Sequence, residues 1–101
     1  MKPKQLPAKT MMKRATEAAA LAAVILSKPD EYPPECEAHD QNLSFAAIAA
    51  TFHSIGAEAS AYGLWPYPDK RIPDGSIQTL ITAAAFILAE INRLETKRKR
   101  K

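Results

Sequence analysis

Eight apolar residues, Ile77, Leu80, Ile81, Ala84, Ile87, Leu88, Ile91 and Leu94, recur at spacings of one, three and four over the last third of the chain. An α-helix turns once in about 3.6 residues, so these positions share one stripe, whereas a strand would divide them between two faces. The pattern predicts a helix over 75–96, opened by Asp74 or Ser76 as cap. Asn92, Arg93, Glu95 and the closing run TKRKRK are polar, so the end of this helix is expected in solvent.

Two further stretches read the same way. Over 10–27, Thr10 can accept an orphan backbone N–H and Pro29 prevents continuation. Met12, Ala15, Ala19, Ala22, Val24, Ile25 and Leu26 leave this helix almost no polar face in its second half. A helix of that kind is expected at the centre of the fold or against another chain. Over 43–62, Phe45, Ile48, Phe52, Ile55, Ala59 and Tyr62 draw a second seam that ends at Gly63, a residue suited to a left-handed C-terminal cap. Gly56 inside it costs about 1 kcal/mol against alanine, and marks either close packing or a kink.

The expected fold is all-α: a three-helix arrangement joined by Pro-rich loops, with helices two and three antiparallel. Ile81, Ala84, Leu88 and Ile91 are then expected to face Ile48, Phe52 and Ile55. Seams this regular also suit a helical homodimer. Hydrophobic residues are 47% of the chain but aromatics only 7%, so alanine and aliphatic side chains must build most of the core and helices can approach closely. A length of 101 residues fits one domain. It divides into a flexible basic N-terminus over 1–9, a helical domain over 10–95 and a basic tail over 96–101.

Charge is segregated along this chain of net charge +3. Five basic residues and no acid lie in 1–14, six basic residues against Glu95 lie in 93–101, and 15–92 holds three basic and ten acidic residues. A surface tuned for duplex nucleic acid would be more uniformly basic, though basic ends alone can contact polyanions. The single cysteine, Cys36, excludes an internal disulfide and fits a reducing compartment. Basic residues precede the apolar run Ala18–Leu26 in the order of a signal peptide. No small-x-small cleavage pattern follows, and the run is too short to span a bilayer, so a buried helix and no membrane association are expected.

Chemistry is sparsely encoded. Phosphate loops, GxSxG, HExxH, paired CxxC and EF-hand patterns are all absent. The acidic loop KPDEYPPECEAHDQN places Cys36 and His39 at C-x-x-H spacing, and a zinc site would need Asp40 and His53 as well. A solvated loop with no metal and no cofactor is the simpler expectation. Cys36 with a histidine as nucleophile and base would lack an oxyanion hole. In the second loop, GLWPYPDKRIPDG, the residues Trp65, Tyr67, Lys70 and Arg71 combine rings that can stack on a base with cations that can hold a phosphate. Pro66, Pro68 and Pro73 stiffen the same segment into a strap, with one ring plugging the helices. Lys97, Arg98, Lys99, Arg100 and Lys101 are candidates for polyanion contact, or a solvated end that complements the helix dipole.

The pieces PPECEAHD (33–40), LSFAAIAATF (43–52), LWPYPDKRIPDG (64–75) and LITAAAFILAEINRLE (80–95) together resemble a family of small uncharacterised phage and prophage proteins. Members carry a GWTPEHD-like stretch, an alanine-rich helix, a WPW loop and a closing helix like LVKAGALIAAEIERL. Tyr67 stands here where the second tryptophan of that loop would be. The resemblance implies a helical fold and expression in the cytoplasm of a bacterial host, and it names no substrate.

The expected function is therefore a small non-enzymatic helical interaction protein of phage or prophage type, such as an inhibitor of host defence, with a protein partner. The alternatives are a nucleotide or nucleic-acid binder using Trp65–Arg71 and the basic tail, and a small metal-dependent enzyme of nucleotide metabolism using the acidic loop.

Overall fold

The computed structural model describes residues 7–99, and among them it shows four α-helices and no strand: α1 (Ala8–Leu26), α2 (Asn42–Ser54), α3 (Glu58–Leu64) and α4 (Ser76–Lys99). Lys2 and Lys4 of the basic N-terminus, and Arg100 and Lys101 of the tail, lie outside the described residues. The first helix falls within two residues of the sequence expectation at each end, the ordinary uncertainty of a helix end, and the last starts one residue late and runs three residues beyond its expected end at 96. The N-terminal residue of α1 differs, since Pro7 and not Thr10 precedes the helix, and its carbonyl accepts the Thr10 amide at 2.9 Å without a side-chain cap.

The helix expected over 43–62 is two helices. Gly56, at φ 82°, ends α2: its amide bonds to the His53 carbonyl at 3.1 Å and the Ala57 amide to the Phe52 carbonyl at 3.0 Å. This pair of bonds is the Schellman arrangement, in which a glycine with positive φ satisfies the last carbonyls of a helix. The three-helix count is corrected to four, and the left-handed cap moves from Gly63, which lies inside α3, to Gly56.

The central helix is α4, which packs against both α1 and α2, while α2 also carries α3. The first helix is therefore peripheral. It buries Ala18, Ala22 and Ile25, with Leu21 half-buried, and leaves Met11, Met12, Val24 and Leu26 exposed. Small residues do most of the joining: Ala46, Ala47, Ala49 and Ala50 of α2 and Ala85 and Ala89 of α4 are all buried. Without bulk beyond Cβ, the helix backbones come close enough for dispersion contacts along their length.

Which face of α4 is inside is the main correction to the sequence reading. Thr79, Thr82, Ala83, Ala85, Phe86, Ala89 and Glu90 are buried. Ile77, Leu80, Ile87, Leu88, Ile91 and Leu94 of the expected core seam are instead 40–64% exposed, and of the eight seam positions Ile81 alone is buried. The inward polar residues satisfy themselves. Thr79 Oγ1 donates to the Gly75 and Ser76 carbonyls at 3.1 and 3.0 Å, and Thr82 Oγ1 to the Gln78 carbonyl at 2.9 Å, so each hydroxyl enters the core without an orphan donor. The seam of α2 is exposed in the same way at Ile48 and Ile55.

Aromatic residues fill the junction between helices and loops. Phe86 lies 5.9 Å from the ring centroids of Tyr32, Trp65 and Tyr67. Tyr67 is fully buried, and its hydroxyl donates to the Pro33 carbonyl at 3.2 Å, which also accepts from Asn42 Nδ2 at 3.1 Å. One carbonyl of the first loop thus ties the second loop and the start of α2 together.

Candidate functional site

Much of the exposed surface of α4 is apolar. Along α4, Ile77, Leu80, Ala84, Ile87, Ile91 and Leu94 follow a three-four spacing on the side opposite its buried face, with Leu88 beside them. Beside this stripe a groove of about 390 Å³ runs between α2 and α4, walled by Ile48, Phe52, Ile87 and Ile91, with Ser44, Thr51 and Glu90 at its margin. By length and composition Ser76–Arg98 could also cross a membrane, a property that a long core helix shares.

A charged cluster closes one end of the groove. The Arg93 guanidinium donates to both Glu90 oxygens, Nε to Oε1 at 2.6 Å and a terminal nitrogen to Oε2 at 3.2 Å, and also to the Asp40 carbonyl at 3.0 Å. Ser44 Oγ donates to Glu90 Oε2 at 3.3 Å. The hydrogen bond to Glu90 holds the Arg93 guanidinium above its ordinary pKa, opposed by partial burial. Lys97 reaches Asp40 at 3.8 Å. The cluster is internally paired, and it fixes α2 against the second half of α4.

The candidate residues of the second loop are drawn into the fold to different degrees. Trp65 Nε1 donates to the Lys70 carbonyl at 2.9 Å, which folds the Pro66–Asp69 segment into a tight arch, and its ring meets Tyr67 edge-on at 5.4 Å. Lys70 Nζ donates to Glu31 Oε1 at 3.1 Å and lies 5.0 Å from the centre of the Tyr32 ring. That hydrogen bond lowers the Glu31 pKa and raises the Lys70 pKa. Burial is the main cause that pushes the Tyr67 hydroxyl pKa well above its usual value. Arg71 is open to solvent, its nearest acid being Asp74 at 4.0 Å. The segment is a strap across the helix ends, and of its two cations Arg71 is the more exposed.

The four metal candidates are scattered. Cys36 and His39 share a loop in which the Cys36 amide donates to the His39 carbonyl at 2.8 Å, and His39 Nδ1 accepts the Gln41 amide at 3.1 Å. His39 also packs on Phe45, with ring centroids 4.9 Å apart. Asp40 turns to Arg93, while His53 lies on α2, 4.0 Å from Glu58 and 6.0 Å from the Tyr62 ring. Among the described residues no three of His, Cys, Asp and Glu gather as ligands. Cys36 and His39 border a shallow cleft with Phe45, Leu64 and Trp65. Of the polyanion candidates, Lys97 and Arg98 stand exposed on the last turns of α4, and Arg100 and Lys101 lie outside the described residues.

No family model, curated protein or solved structure matches the chain.

Sequence reasoning identified the stripe on α4 and assigned it to the core. The signal for its true position was present in the alternate register Thr79, Thr82, Ala85, Phe86, Ala89 and Arg93, spaced by three and four. The Glu90–Arg93 pair, spaced by three on one helix, carried the same signal.

Proposed function

We propose that this chain is a small non-enzymatic helical interaction protein, and that the outward face of α4, with the adjoining groove on α2, is its binding surface. The observation that carries the reading is the orientation of α4: six of its seven isoleucines and leucines point to solvent, while alanines, threonines and Phe86 fill its inner face. Soluble chains seldom leave a contiguous apolar patch of this extent uncovered, because each exposed aliphatic group forgoes the gain of leaving water. The hydrogen bonds Ser44–Glu90 and Ser54–Ser76 join opposite ends of α2 and α4, which supports an antiparallel pair as the platform. A second copy carries the same stripe, so a homodimer belongs to this reading. The resemblance to phage and prophage proteins supports a bacterial cytoplasmic setting and a partner among host or phage macromolecules, such as a defence component.

The experiment is Ile87→Glu, which places a charge at the centre of the stripe without touching the buried face. In dilute solution the wild-type chain is expected to bind a hydrophobic dye that Ile87→Glu fails to bind, with helix content and melting temperature unchanged. Equal dye binding by both proteins contradicts the assignment of this face.

A further inference from the structure

We infer that the occupant of the α4 face is a second copy of the chain, packed antiparallel about a two-fold axis that passes midway between positions 85 and 86. The inference rests on the interface reading above, commits the face to a second copy and adds the direction and register. The apolar pattern is its own mirror about that point: Ile77 falls opposite Leu94, Leu80 opposite Ile91, and Ala84 opposite Ile87. Such pairing is what an isologous contact requires, since each residue must meet its counterpart twice. The stripe follows the heptad spacing of helices that pack at a shallow angle, and Ala84 leaves room for Ile87 at the centre.

Charge selects the direction. In this register the exposed Arg98, which continues the three-four spacing of the stripe, falls opposite position 73 of the other copy, beside its exposed Asp74, at both ends of the interface. Asp74 has Arg71 of its own chain at 4.0 Å, a loose and exposed pair open to a further partner. A parallel pairing would instead bring Lys97 and Arg98 of both copies side by side, and like charges so placed repel. The area is also sufficient. From Ile77 to Leu94 the stripe runs about 26 Å at 1.5 Å per residue. Its six large side chains offer on the order of 500 Å² per protomer, and Ile48 with the groove rim carries the total towards the ~800 Å² per partner of a stable complex.

Cysteine cross-linking decides the matter. In a Cys36→Ser background, Leu80→Cys and Ile91→Cys are made singly and together, and helix content is checked for each. The double variant is expected to form a covalent dimer under mild oxidation, and so is an equimolar mixture of the two single variants. Each single variant alone is expected to stay uncrosslinked, because position 80 lies eleven residues, about 16 Å, from its own copy in this register, beyond the reach of a disulfide. Self-cross-linking of either single variant shows a parallel pairing or another register and overturns the inference. So does the absence of cross-linking in the mixture. A wild-type chain that keeps the monomer mass at its highest soluble concentration overturns it too. In that case the dye contrast between wild type and Ile87→Glu still decides the interface reading on its own.

Discussion

Arg93 grips Glu90 through two hydrogen bonds, at 2.6 and 3.2 Å, on the inward side of a helix whose outward side is aliphatic. Both side chains are mostly buried, so neutralising one leaves the other without its counter-charge in a poorly solvated place. Arg93→Met is expected to cost about 2–3 kcal/mol, somewhat less than the ~3–5 kcal/mol of breaking a fully buried pair, because both groups keep some contact with water. Urea unfolding of the variant checks this, and a cost below about 1 kcal/mol would place the pair among ordinary surface contacts.

The inverted α4 makes a contrast between neighbours. Phe86 is 1% exposed and touches three aromatic rings, so Phe86→Ala is expected to lose about 3–5 kcal/mol. Leu88, two residues on, is 40% exposed, and Leu88→Ala should cost under about 1 kcal/mol in dilute solution. Chemical denaturation of both variants, at a concentration where the chain is monomeric, reads the difference. Equal losses would return Leu88 to the core.

Trp65 is half-buried between the two core clusters and anchored to the Lys70 carbonyl. Trp65→Ala is expected to cost about 3 kcal/mol, the lower end for deleting a large aromatic, since part of the ring is already in water. Thermal melting checks the loss. In the wild type, tryptophan emission should be only partly accessible to an aqueous quencher.

Acid sensitivity should have an identifiable source in Glu31, whose pKa is lowered below 4.5 first by the hydrogen bond from Lys70 and then by the charges of Lys70 and Lys28. A carboxyl with a lowered folded-state pKa binds protons more readily in the unfolded chain, so stability rises with pH between the two values. The contribution is complete above about pH 4.5 and is lost as pH falls through the folded-state value. Lys70→Met should flatten this part of the acid limb. Urea midpoints of wild type and variant compared across the acid range would show it, and parallel curves would deny the pairing a role.

How far the sequence disclosed this fold depends on the question put to it. Helix positions were legible because Pro29, Gly75 and the three-four spacing mark ends and periods directly. The division at Gly56 was less so, since a glycine inside a continuing apolar pattern signals a kink and close packing equally, and only the bonds at His53 and Phe52 distinguish them. The orientation of α4 was misread for a physical reason. Periodicity identifies the two faces of a helix, and burial was assigned to the larger side chains. Here alanines, self-satisfied threonines and one ion pair form the inner face, and that arrangement depends on partners that no single helix reveals. The strap was legible from its prolines, while the dependence of Trp65 on the Lys70 carbonyl was not.

Sedimentation equilibrium over a range of concentrations tests the central claim most directly, that the outward face of α4 is an interface between two copies. The account predicts that the wild-type chain approaches twice its 11.1 kDa as concentration rises. Ile87→Glu should remain at 11.1 kDa throughout with the same helix content. A wild-type mass that stays at the monomer value at every concentration, or an Ile87→Glu variant that associates as strongly as the wild type, would contradict it.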